Sequence, residues 1–263
     1  MLLLLLLTSK VIVASIPPIA ALAREIAGGS YQVYSLLNNL QNPHTYELKP
    51  QDFKRVLNSD LYFEVGGHIE SWGTRLRNTV KNSVVLTDEL RKRKINFDNP
   101  HIWLDPYLVP EIAKIVYEKL RERFPENSSL FTENYHAFLT RFDSTTNYLR
   151  GVLGEYKGRK VLLYHPSWNK FLEFFGITVA GALVHHGEKE ISTGEYAKWV
   201  KKVKDENISI VVTESNMPSR IPQSLSRETG ICLVSLDPLF SGDFINGFKE
   251  QALRIYKGFK CQK

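Results

Sequence analysis

Cysteine is almost missing from this 263-residue chain: Cys232 and Cys261 are the only two, both in its last eighth. Two thiols leave two readings, one disulfide in an exported protein or a pair of buried free thiols. A bridge would enclose about 30 residues and contribute roughly 3–4 kcal/mol through loop-closure entropy. Charge of one sign is not concentrated either. The formal net charge is +6 and the pI about 9.1. Yet Lys and Arg are spread along the chain, the clusters Arg91 to Lys94 and Lys201 to Lys204 are short, and no basic stripe is interleaved with aromatics. That distribution argues against nucleic acid as a partner. There is no low-complexity run, and the one uninterrupted leucine run, Leu2 to Leu7, is too short to cross a bilayer as a helix. It reads as the apolar part of a secretory signal, without a positive n-region or a clear small-x-small cleavage site. Neither a GxGxxG nor a Walker-type GxxxxGK[ST] occurs, which argues against a nucleotide enzyme, and no HExxH pair marks a zinc hydrolase.

What is present is a globular composition, 43% hydrophobic and 24% charged, and length enough for one large domain or two ordinary ones. Apolar runs and helical patterns alternate. Strands are expected at Val11 to Ser15, Tyr31 to Leu37, Asp60 to Val65 and Val84 to Leu86, with helices from Pro17, from Pro50 to about Asn58, and around Glu70 to Val80. Asp105 is the expected N-cap, and Pro106 the first residue, of a helix to about Arg123. Glu126 to Gly154 is the longest helical pattern, with apolar residues at three- and four-residue spacings and no internal proline; at ~1.5 Å per residue it spans about 40 Å. The alternation then resumes, with strands at Lys160 to Tyr164, Ile177 to Leu183, Ile208 to Thr213 and Ile231 to Leu236. Ser192 to Glu195 forms a capping box ahead of a helix to Lys204, and another helix is expected around Pro222 to Thr229. The expected architecture is α/β, with two four-stranded lobes joined by one long rigid helix and a site in the cleft between them. Residues 1–124 make the amino-terminal lobe (1–9 a signal remnant), 125–155 the linking helix and 156–263 the carboxyl-terminal lobe.

One motif is said twice, as Asn42-Pro43-His44-Thr45-Tyr46 and as Asn99-Pro100-His101-Ile102-Trp103. Proline fixes its own φ and pushes the residue before it into extended geometry, so each histidine sits on a stiff loop. His165 directly follows one strand and Asp237 another, each with a proline after it, and ligands of parallel sheets gather beyond the strands' carboxyl ends. One histidine alone is more often a surface or core residue. Four candidates at equivalent topological places, His44, His101, His165 and Asp237, point instead to three nitrogens and one oxygen around a tetrahedral Zn²⁺. His68 at a strand end reads as cleft wall or surface, and His136 beside Tyr135 as structural. Trp103 reads as packing under its loop, and His185-His186-Gly187-Glu188-Lys189-Glu190 as a solvated loop.

The chain resembles the cluster A-I metal-binding proteins of bacterial ABC importers, the zinc and manganese receptors. The segments that carry the likeness are Ala14-Ser15-Ile16-Pro17-Pro18, the two Asn-Pro-His loops, the strand into His165, and Leu236-Asp237-Pro238-Leu239. They run in order over almost the whole chain. The resemblance implies a receptor and not an enzyme, a monomer exported to the periplasm or the outer face of the cytoplasmic membrane. It would capture a divalent metal through His44, His101, His165 and Asp237 and deliver it to an ABC permease. It also implies that the helix from Glu126 is the family's backbone helix and that Cys232 and Cys261 form a disulfide. Zinc receptors often carry a long loop rich in His and acids in the first half, and none lies between Val65 and Asn99. A histidine at 165, where manganese receptors tend to use glutamate, favours zinc as the transported ion, with manganese as the alternative. A zinc-dependent hydrolase and an adhesin on the same fold are the competing functions.

Overall fold

The computed structural model describes residues 10–77, 80–184, 191–218 and 220–261. The amino-terminal leucine run and the loop 185–190 lie outside those residues. In the first half the strands are β1 (Val11–Ala14), β2 (Gln32–Ser35), β3 (Leu61–Glu64) and β4 (Ser83–Val85). In the second they are β5 (Lys160–Leu163), β6 (Thr178–Ala182), β7 (Ile210–Glu214) and β8 (Cys232–Leu236). Each set forms a parallel sheet, in the orders β2-β1-β3-β4 and β6-β5-β7-β8. The central strands are the apolar ones: β3 and β7 are buried throughout, and β1 and β5 all but their first residue. This is what helices covering both faces of a parallel sheet require. Successive strands are added to one side of β1 and then to the other, so the strand order switches between β1 and β3 and likewise between β5 and β7, and at such places the loops part and leave a crevice.

The helices are α1 (Pro17–Ala27), α2 (Pro50–Leu57), α3 (Gly73–Arg77), α4 (Leu86–Lys92), α5 (Val109–Arg123), α6 (Ser128–Leu153), α7 (Asn169–Phe174), α8 (Thr193–Asp205), α9 (Arg220–Thr229) and α10 (Phe244–Lys260). Proline opens α1 and α2 as expected, and Ser192 with Glu195 makes the capping box of α8. Two expectations need correction. Asp105 does not cap a helix starting at Pro106. Its Oδ1 accepts the Tyr107 amide at 2.9 Å in a local turn, and α5 starts at Val109. The helix expected over Glu70 to Val80 is only the five residues of α3 in its described part, because Glu70 is turned inward in a tight loop. α4 and α10 had no counterpart in the sequence reading.

α6 is the long helix, 26 residues between two short 3-10 turns. It packs on α1 and α5 at one end and α10 at the other. Phe131 meets Tyr31 in the first lobe at 5.5 Å, and Phe142 meets Phe248 of α10 at 5.3 Å. One continuous apolar core therefore runs from Ile12 to Phe259 through both lobes. Glu25 of α1 pins three helices. It accepts Arg141 Nη2 of α6 at 2.6 Å and the Phe244 amide of α10 at 2.9 Å. Cys232 and Cys261 are joined in a disulfide that ties the start of β8 to the end of α10. Among the described residues, no helix is long and apolar enough to cross a membrane.

Candidate metal centre

The asparagine of each Asn-Pro-His motif has a defined task. Asn42 Oδ1 accepts the His44 amide at 2.9 Å, and Asn99 Oδ1 accepts the His101 amide at 2.9 Å. Each side chain thus closes a turn over its own proline, and the histidine leaves the loop in one direction. Asn99 Oδ1 also lies 2.8 Å from His101 Nδ1, so that nitrogen carries the hydrogen and Nε2 keeps its lone pair. His165 follows β5, and its Nδ1 lies 3.2 Å from Oε1 of Glu214, the last residue of β7. Ser167 Oγ donates to that same oxygen. A histidine oriented through Nδ1 by a carboxylate or amide oxygen is the usual outer support of a metal-binding imidazole.

The three rings stand edge to face, with centroids 5.4 Å (His44 to His101), 5.3 Å (His44 to His165) and 4.9 Å (His101 to His165) apart. One nitrogen from each falls within 4.8 Å of the others, and the Nε2 atoms of His44 and His101 are 3.3 Å apart. Two nitrogens bonded to one tetrahedral zinc at ~2.0–2.1 Å stand about 3.3–3.4 Å apart, so the spacing fits an ion between them. His101 and His165 are buried, and His44 is half-buried on the side facing water.

Asp237 does not join the three-histidine group. Its Oδ1 accepts the Leu239 amide at 2.9 Å, and its own amide donates to Gln251 Oε1 at 2.9 Å. Burial pushes its carboxyl above the ordinary value, with the Leu239 amide and Asn39 pulling it back. The four candidates do not occupy equivalent topological places. His44 follows edge strand β2, His101 comes after α4, and only His165 and Asp237 stand within two residues of a strand's end. Trp103, read as packing, does more: it is buried, lies tilted against His101 with ring centroids 5.4 Å apart, and donates through Nε1 to Pro238 O at 2.7 Å. His68 and His136 are both exposed, and Glu190 falls outside the described residues. The sequence reading missed Glu214 and Ser167. A carboxylate ending an apolar strand at the crevice was the available signal for the first.

Under the His44 loop the first lobe buries two further acids. Trp72 links the layers, donating to Pro43 O at 3.4 Å. Glu70 Oε2 accepts the Gly66 amide at 2.9 Å, and Glu64 Oε1 is 3.2 Å from Arg77 Nη2. Burial raises both carboxyls, Glu64 to about 7 against the pull of Arg77, and Glu70, further raised by Glu64, to about 8. Gly66 sits at φ +81°, where a Cβ would strike Val85 and come within 2.5 Å of Thr87 Oγ1.

Residues 12–258 match the profile of the family described as ZnuA, zinc-uptake complex component A, periplasmic. The metal ABC transporter substrate-binding lipoprotein SloC of Streptococcus mutans is 24% identical over 237 residues, covering 84% of this chain and 78% of SloC. The manganese-binding lipoprotein MntA of Halalkalibacterium halodurans is 24% identical over 227 residues, 84% of this chain and 76% of MntA. A crystal structure of ZnuA superposes with a TM-score of 0.83 at 26% identity, covering 95% of this chain and 98% of that one.

Proposed function

This chain belongs to the ZnuA family of metal-binding receptors of ABC importers, and we propose that within it the protein captures Zn²⁺ outside the cytoplasm and hands it to a permease. The ligands in this reading are His44, His101, His165 and Asp237. The observation that carries it is the convergence of three imidazole nitrogens within 4.8 Å of one another. A donor set of three nitrogens and one oxygen suits zinc better than manganese, which prefers oxygen-rich octahedral surroundings. Asp237 is taken as the fourth ligand in this reading because its loop lies against the His101 loop, Trp103 Nε1 donating to Pro238 O at 2.7 Å, and a cation would stabilise its ionised form. Four protein ligands close the tetrahedron and leave no position for an activated water, so the site carries the ion and does not use it for hydrolysis.

Elemental analysis of protein isolated without added metal, followed by competition between zinc and manganese, tests the reading. One zinc per chain, held against a large excess of manganese, is expected. Stoichiometric manganese that zinc does not displace would assign the receptor to the other ion.

A further inference from the structure

The two Asn-Pro-His loops repeat in sequence, but they are anchored to different bodies. In the first, the aromatic Tyr46 turns back into its own lobe, donating to Asp52 Oδ2 of α2 at 2.7 Å. In the second, the matching Trp103 reaches across the cleft to Pro238 O at 2.7 Å. Asn99 also crosses. Its Nδ2 donates to Pro166 O at 2.7 Å, while its Oδ1 holds the His101 amide and Nδ1. The carboxamide is planar, so fixing both ends fixes His101 relative to the His165-Pro166 peptide. The two carbonyls that accept these bonds belong to the prolines following His165 and Asp237.

The first loop also touches the other lobe, through Gln41 O, 3.3 Å from Asn216 Nδ2, and through Asn39 beside Asp237. Those contacts come from half-exposed residues, whereas Trp103 is 1% and Asn99 9% exposed. Water competes for the former and hardly for the latter.

We propose that Asn99 and Trp103 are positioning residues that fasten the His101 loop to the carboxyl-terminal lobe, so that His101 and His165 stay a fixed pair and His44 is the ligand that parts from them when the ion leaves. This rests on the assignment of these histidines as ligands. The order of events follows from the anchoring: the ion meets a preformed two-histidine seat, His44 closes over it last, and His44 opens first.

Hydrogen exchange of the full chain, metal-free and zinc-loaded, tests the proposal without any substitution. Zinc should slow exchange in residues 38–49 and leave residues 99–105 unchanged. Trp103→Phe keeps an aromatic ring but loses the pyrrole part of the indole together with its Nε1 donor; Asn99→Asp keeps the acceptor and removes the donor, a second route with little change of volume if the first variant folds poorly. Either should make exchange in 99–105 depend on zinc and speed zinc transfer to a chelator about three- to tenfold, the equivalent of one hydrogen bond. A purely structural role would lower the melting temperature but leave the zinc dependence of that loop as in the parent. The proposal is overturned if zinc slows 99–105 as much as 38–49 in the parent, or if both variants keep parental exchange and release. Zinc content of His44→Ala and His101→Ala separates the two ideas. Undiminished zinc in both sinks the site itself, and lost zinc with equal response of the two loops sinks only the anchoring.

Discussion

A histidine pointed at two other histidines is unfavourable company unless something positive sits between them, and the supports behind each ring set how much is lost when one is removed. Replacing His101 or His165 by alanine is expected to lower zinc affinity by more than about a hundredfold, since removing an outer support alone typically costs about 10–100-fold. Glu214→Gln should fall in that lower range, because His165 keeps a partner but loses its carboxylate. Isothermal titration of the purified variants reads both. Glu64 and Glu70 give a separate signal in the metal-free protein. Both carboxyls are raised in the fold, to about 7 and about 8, so between the ordinary carboxylate range and those values the folded chain holds more protons than the unfolded one. Stability supplied by the neutral acids is complete in acid and is lost as pH rises through about 7–8. Melting temperature should therefore fall from pH 5 to pH 8, and Glu70→Gln should flatten that slope; an unchanged slope would mean the pair is not held neutral. Gly66→Ala should destabilise by about 1–3 kcal/mol, since it adds both left-handed strain and a clash with Thr87.

At the level of the element, the strands and the long helix were legible because burial on two faces, or a stripe along one, writes itself into periodicity. β7 opens on the apolar run Ile210 to Val212 and is buried at every residue, and α6 keeps its three- and four-residue spacing over its length. The His44 and His101 loops were legible through asparagine and proline, whose preferences are local. What could not be read was tertiary. Glu70 looks like a helix former but is used as a buried loop carboxyl, and Asp105 bonds two residues on in place of starting a helix. Glu214 gains its role only when β5 and β7 pair; its place at the end of an apolar strand marks it as a crevice residue but does not name His165 as its partner. Nor does the motif distinguish Tyr46, which bonds inward, from Trp103, which bonds across. α6 itself offers a prediction. Glu25→Ala removes two bonds that join α1, α6 and α10, one of them to a guanidinium, and should cost about 2–4 kcal/mol in chemical denaturation without altering zinc stoichiometry.

Across the whole molecule, a core shared by both lobes, three helices pinned by Glu25 and a disulfide at the carboxyl end act together. Reducing Cys232–Cys261 should cost roughly 3–4 kcal/mol of unfolding free energy while leaving metal binding intact, because the bridge lies on β8 and α10 and away from the imidazoles. Scattering should give a radius of gyration of about 18 Å both with and without zinc. A marked compaction on loading would show that α6 bends. The shared spine of α1, α6 and α10 also decides how this protein could be turned into a sensor. Dyes placed on opposite lobes would keep nearly the same separation whether or not an ion is bound, and energy transfer between them would stay almost constant. A single environment-sensitive dye at Leu40, which is 75% exposed and four residues before His44, would brighten or dim with each ion captured.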